Sequence, residues 1–151
     1  VPNVFTPRAI EDQVGIALVA HDRMKHVLMA WASRHYDALS PHRLYSTETT
    51  GALLERDLGL AVHCFRSGPF GGDQEIGGAI SRGEVQVLVF FVDPLGVHPH
   101  EDDIRALLRL AVLADIVLAC NESTAERVIA GGVLGPSGEM TAAAVQLEVA
   151  S

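Results

Sequence analysis

Val14-Gly15-Ile16-Ala17-Leu18-Val19-Ala20, followed at once by His21-Asp22, is an unbroken apolar run of strand length that ends in two polar residues. An apolar run without alternation predicts a strand covered on both faces, as in a parallel sheet flanked by helices. Val85 to Val92, interrupted only by Gln86, repeats the pattern and is the clearest strand in the chain. Shorter candidates are Leu44-Tyr45-Ser46, Ala61 to Phe65 and Ile116 to Ala119. Between them lie segments with helical spacing. Asp22 to about Leu39 carries Met24, Val27, Leu28, Trp31 and Ala32 as an apolar stripe. Thr50 to Leu58, Gln74 to Arg82, Asp102 to about Ala114 and Thr124 to Ala130 complete the set. Five strands alternating with five helices predict an α/β fold: a doubly wound, five-stranded parallel sheet with helices on both faces, of the flavodoxin-like class, with right-handed crossovers.

The chain has 151 residues, 48% of them hydrophobic, enough for one domain with a real core. The expected limits are a lead-in over 1–13, a single domain over 14–132, and a weakly patterned tail over 133–151 with a possible edge strand at Val145–Val149. No apolar run is long enough to span a bilayer, and the first thirteen residues lack the apolar core of a signal peptide. Cys64 and Cys120 end apolar runs and read as small core residues of a reducing compartment, so a cytoplasmic protein is expected. Eleven basic against nineteen acidic residues, a formal charge of −8, speak against nucleic acid as a partner. An anionic ligand then requires a local site of backbone donors and a few placed cations.

Ligands of such sheets bind beyond the carboxyl ends of the strands. The segments expected there are unusually polar: His21-Asp22, Thr47-Glu48-Thr49-Thr50-Gly51, Ser67-Gly68-Pro69-Phe70-Gly71-Gly72-Asp73-Gln74, Asp93 with His98 to Asp103, and Asn121 to Thr124. At the opposite end Ser40-Pro41-His42, Gly59 and Gly83 read as plain turns. Three glycines and a proline let the Ser67 loop approach a ligand and present N–H groups. Asp73 is then either an ordinary helix cap or a functional carboxylate. Lys25, in a first helical turn where the macrodipole disfavours a cation, either reaches solvent or faces an anion held by the same helix end. Thr47, Thr49, Thr50, Ser67 and Gly68 precede two neighbouring helices and together suggest a phosphate cradle. His98 and His100 are separated by one proline, without the spacing of a metal site. An imidazole oriented by a carboxylate is the plainer reading for His100, and a solvated loop residue for His98.

The segments ALVAHD (17–22) with Lys25, TTG (49–51), SGPFGGDQ (67–74), FFVDPL (90–95), His100 with Asp103, LLRLA (107–111) and CNESTAE (120–126) resemble methylglyoxal synthases, in order, from about Gly15 to Gly132. The resemblance implies a lyase converting dihydroxyacetone phosphate to methylglyoxal and inorganic phosphate through an enediolate, without metal or organic cofactor. It also implies Asp73 as general base, His21 and His100 near the substrate oxygens, and Asp93 and Asp103 as carboxylates near the reacting centre. Lys25, Thr47, Glu48, Thr49, Thr50, Ser67 and Gly68 fall on the phosphate site. A homohexamer with Arg109 at subunit contacts is implied as well, with phosphate as an inhibitor.

Two departures qualify the resemblance. The family's phosphate turn reads Thr-Gly-Thr-Thr-Gly, and Glu48 stands here at its first glycine. If that position needs φ > 0 it is strained, and an inward carboxylate would repel phosphate, so Glu48→Gly is expected to lower KM. The segment after Gly132 also departs from the family pattern. The alternative from another class is a non-catalytic phosphate- or small-anion-sensing domain of the same fold, in which Glu48 impairs catalysis.

Overall fold

In a computed structural model describing residues 13–134, the opening apolar run becomes β1 (Gly15–Ala20), the central strand of a sheet. The other strands are β2 (Arg43–Thr47), β3 (Val62–Phe65), β4 (Val87–Phe91) and β5 (Val117–Ala119). All pairings are parallel, in the order β3-β2-β1-β4-β5. The doubly wound five-stranded sheet is the one expected, but its order is the 3-2-1-4-5 arrangement rather than the flavodoxin-like 2-1-3-4-5. Progression reverses at β1, so the switch point lies between the carboxyl ends of β1 and β4. The lead-in up to residue 12 and the tail from 135, with its edge strand at Val145–Val149, lie outside the described residues.

Every residue of β1 is buried, because both faces of the sheet are covered. Ile16, Leu18 and Ala20 join one apolar cluster with α1 (Lys25–Arg34), α3 (Glu48–Leu58) and α6 (Glu122–Ala130). Ala17 and Val19 point the other way, into a cluster with α4 (Gly72–Ser81) and α5 (Glu101–Leu113). This period-two division of an all-apolar strand is what a two-layered core requires.

The single helix expected over 22–39 is instead a 3-10 turn (Asp22–Met24), α1, and a short α2 (Tyr36–Leu39). The break falls at His35 (φ −110°, ψ 24°), whose Nε2 lies 3.0 Å from the Glu126 carboxylate of α6. Arg34 bonds the same carboxylate and Glu122. That bend carries Leu39 into the core at zero exposure. α3 and α4 each begin two residues earlier than predicted, at Glu48 and Gly72. Cys64, expected in the core, is exposed because β3 is an edge strand, while Cys120 is half-buried; both thiols are free. Among the described residues no helix is long and apolar enough to cross a membrane.

Candidate active site

A cavity of about 310 Å³ opens at the carboxyl ends of the strands. Segments that are distant in sequence meet there: His21 and Lys25 after β1, Thr47 at the end of β2 and Thr49 just beyond it, Ser67, Gly68 and Asp73 after β3, and His98 and His100 after β4.

Asp73 stands at the cavity floor, 2% exposed. The early start of α4 makes it the second helical residue and not the cap, and neither carboxylate oxygen accepts a hydrogen bond. The cap reading is therefore excluded. Gly71, with φ 101°, supplies the left-handed turn that delivers the chain into α4, a conformation a side chain resists. Burial pushes the Asp73 carboxyl above its ordinary value; His100 opposes that shift and Asp103 adds to it. His100 Nε2 lies 3.6 Å from Asp73 Oδ2, and its buried Nδ1 has no partner. A buried carboxylate without a hydrogen-bond partner holds a proton more tightly than an exposed one.

His21 is held from its other side. Its Nδ1 accepts the Asp93 backbone N–H at 2.9 Å, and its own backbone N–H bonds the Phe91 carbonyl at 3.2 Å. Burial lowers its pKa to about 4, helped by His98 and His100 and opposed by Asp93 and Glu101. The ring is thus neutral near pH 7. With Nδ1 accepting, its one N–H is on Nε2, which has no protein partner. Asp93 does not line the cavity. One of its oxygens accepts the Leu95 N–H at 3.0 Å and the other faces Arg23 at 4.0 Å, so it shapes the loop that carries the histidines.

Donors line the cavity as well. Thr47 precedes α3 and Ser67 precedes a 3-10 turn (Gly68–Phe70), neither hydroxyl being used as a cap. Thr47, Thr49, Ser67 and Gly68 line the cavity, at the start of α3 and in the turn before α4. Lys25 is paired with Asp22, whose carboxyl is held below its usual range by that hydrogen bond. Thr50 is buried with an unpartnered hydroxyl but lies outside the lining.

Three more of the expected residues, besides Asp93 and Thr50, do not line the cavity. Glu48 is the exposed first residue of α3, does not line the cavity and has no left-handed φ, so neither the strain nor the inward carboxylate envisaged for it arises. The Cys64 thiol pKa is raised chiefly by burial, with smaller contributions from Glu55 and Glu48. Asp103 reaches the site only electrostatically, through Asp73. Arg109 is exposed on α5, outside the cavity. His98, read as a solvated loop residue, is instead half-buried and stacked on His21. Nothing in the spacing signals that stack, because the two residues come from loops 77 positions apart. Among the described residues no group of His, Cys, Asp or Glu is arranged to hold a metal.

A switch-point cavity that joins a buried carboxylate without a hydrogen-bond partner, a neutral imidazole, a lysine and small hydroxylic residues defines an α/β protein equipped for acid–base chemistry on a small polar ligand. The MGS-like domain family model matches residues 27–120. A methylglyoxal synthase of Cellvibrio japonicus is 52% identical over 115 residues, covering 76% of this chain and 75% of that protein. One of Yersinia enterocolitica is 47% identical over 139 residues, covering 92% and 90%. The crystal structure of methylglyoxal synthase from Elizabethkingia anophelis superimposes with a TM-score of 0.75 at 40% identity, covering 79% and 78%. The chain belongs to the methylglyoxal synthase family, a family of lyases.

Proposed function

We propose that this enzyme eliminates phosphate from dihydroxyacetone phosphate to give methylglyoxal, with Asp73 as the base. The observation that carries the reading is the buried Asp73 carboxylate, without a hydrogen-bond partner and beside His100, in a cavity also lined by Lys25, Thr47, Thr49, Ser67 and Gly68. Asp73 takes a proton from the hydroxymethyl carbon, and its raised pKa makes it the better acceptor. The electron pair of that C–H bond forms the carbon–carbon double bond, and charge develops on the former carbonyl oxygen. His21 Nε2–H and the His100 ring supply hydrogen bonds to the substrate oxygens, a neutral imidazole being sufficient for an enediolate. The hydroxyl on the deprotonated carbon then becomes an aldehyde carbonyl, its proton passing to the bridging phosphate oxygen, while the carbon–carbon double bond shifts toward the phosphate-bearing carbon and the C–O bond to phosphate breaks. Protonated Asp73 returns its proton to the remaining enolate. The Ser67-Gly68 and Thr47-Thr49 donors, with Lys25 turned from Asp22, receive the departing dianion. The enol left behind ketonises to methylglyoxal, so no water or redox partner is consumed. Arg109 belongs to the assembly part of the reading, a homohexamer, which light scattering tests.

The test is methylglyoxal formation from dihydroxyacetone phosphate by purified protein in EDTA, beside Asp73→Asn. Activity that survives EDTA and falls by at least about a hundredfold in the variant supports the reading, since a positioned base contributes about 10²–10⁴-fold. Saturable binding of phosphate without product turns the assignment to a sensing domain.

A further inference from the structure

We propose that His98 is a positioning residue of this reaction: lying flat on His21 and hooked to the Asp93 carbonyl, it holds the His21 ring in the plane that leaves Nε2–H free for substrate. The inference rests on the elimination assigned above, in which His21 is a hydrogen-bond donor to substrate.

The geometry is specific. The His21 and His98 rings stack with centroids 3.6 Å apart and an interplanar angle of 17°. His98 Nε2 lies 3.3 Å from the backbone oxygen of Asp93, the residue whose N–H bonds His21 Nδ1. One residue, Asp93, therefore anchors both rings, His21 through its backbone N–H and His98 through its carbonyl. Buried Phe90 meets His21 edge-on at 5.1 Å, so the imidazole is held by a strand residue as well as by the loop ring. Gly96 permits the loop to fold this tightly: a Cβ there would fall 2.6 Å from Asp93 Oδ2 and 2.9 Å from His98 Cε1. A solvated loop histidine has no need of such an arrangement.

The stack also controls which charge state of His21 is present. The groups facing His21 are His98 and His100 from the β4–α5 loop, Asp93 with its partner Arg23, Glu101 at the start of α5, and Asp22 beside it. Burial is the largest influence keeping the ring neutral, and His98 supplies both cover and the second-largest influence. Without the ring, water reaches one face of His21 and the imidazole titrates nearer its ordinary range. It then enters the substrate complex as a cation over part of the working pH range.

The experiment compares His98→Ala with His98→Phe, the latter keeping an aromatic face and losing the hydrogen bond and the titratable nitrogens. NMR of the His21 ring carbons follows its titration directly, and kcat/KM is measured from pH 5.5 to 8 for the same proteins. In His98→Ala the His21 midpoint rises by a unit or more. The ratio of its kcat/KM to that of the unaltered enzyme falls by up to about tenfold more at pH 5.5 than at pH 8, the limit for a group returning to a pKa near 6.5. In His98→Phe the midpoint moves less and the pH-dependent deficit is largely restored. An unmoved His21 midpoint in His98→Ala, or equal movement in both variants, overturns the proposal. If the unaltered protein makes no methylglyoxal, the reaction assignment fails, while the titration still decides whether His98 governs His21.

Discussion

Gly68→Ala adds one carbon at a crowded point of the cavity. An ideal Cβ on Gly68 falls 2.9 Å from His100 Nε2, 3.2 Å from its Cδ2 and 3.4 Å from Asp73 Oδ1. Relaxing the shortest contact to ordinary van der Waals separation moves the imidazole by about 0.5 Å. That shift acts on the ring 3.6 Å from the Asp73 carboxylate, so base and donor lose their mutual placement together. A 1 Å misplacement costs on the order of a hundredfold in rate, so half of it predicts a fall in kcat of about tenfold. Folding tells a different story. Gly68 is not among the glycines with positive φ, so alanine fits its backbone. Restricting the unfolded chain then favours the variant by up to about 1 kcal/mol, set against the contact strain. Steady-state kinetics beside thermal unfolding of the same preparation separates the two effects. Unchanged kcat at unchanged Tm refutes the reasoning, because His100 would then have room to move without consequence. A large drop in Tm refutes it differently, showing that the loop and not the ring absorbs the strain.

Three further outcomes follow from the same geometry. Asp73→Asn is expected to stabilise the protein while removing activity. The folded-state pKa of Asp73 is raised, so its ionisation weakens the fold as pH climbs above the ordinary carboxylate value, and the Tm advantage of the variant should grow from pH 4 toward 8. An advantage that shrinks with rising pH would show the carboxylate to be satisfied. His21 acts in the opposite sense: with its folded pKa lowered to about 4, the stability it lends is present above pH 6.5 and is lost as pH falls through 4. At the full shift that is about 3 kcal/mol, and urea titrations of His21→Gln against the unaltered protein should show a flatter acid limb. Glu48→Gly should leave KM within about twofold, since an exposed charge outside the cavity is well screened; a fivefold fall would restore the inward carboxylate.

Much of this molecule was legible before folding. Val14–Ala20 and Val85–Val92 have no polar alternation, and burial on both faces is the only arrangement that hides such runs. From them follow the parallel sheet, the helices on two sides and the end at which a ligand sits. The residues of the Ser67 loop, His21, Lys25 and His100 were recognisable because small, hydroxylic and titratable residues cluster after the strands, and chain direction alone brings those ends together.

What only the tertiary structure decided are the relations among side chains that no local pattern encodes. Strand order depends on which crossover reverses, and no single strand carries that information. The break at His35 is set by Glu126, a partner 91 residues away, against the helical spacing of its own segment. Whether Asp73 caps a helix or stands unpaired turns on a helix start two residues earlier, and whether Glu48 enters the site turns on which side of α3 faces the cavity. The stack of His98 on His21 arises where two loops meet at the switch point, so its chemistry belongs to neither loop's sequence. Local propensity and periodicity act over a few residues, whereas burial, ring stacking and pKa depend on neighbours supplied by the whole fold.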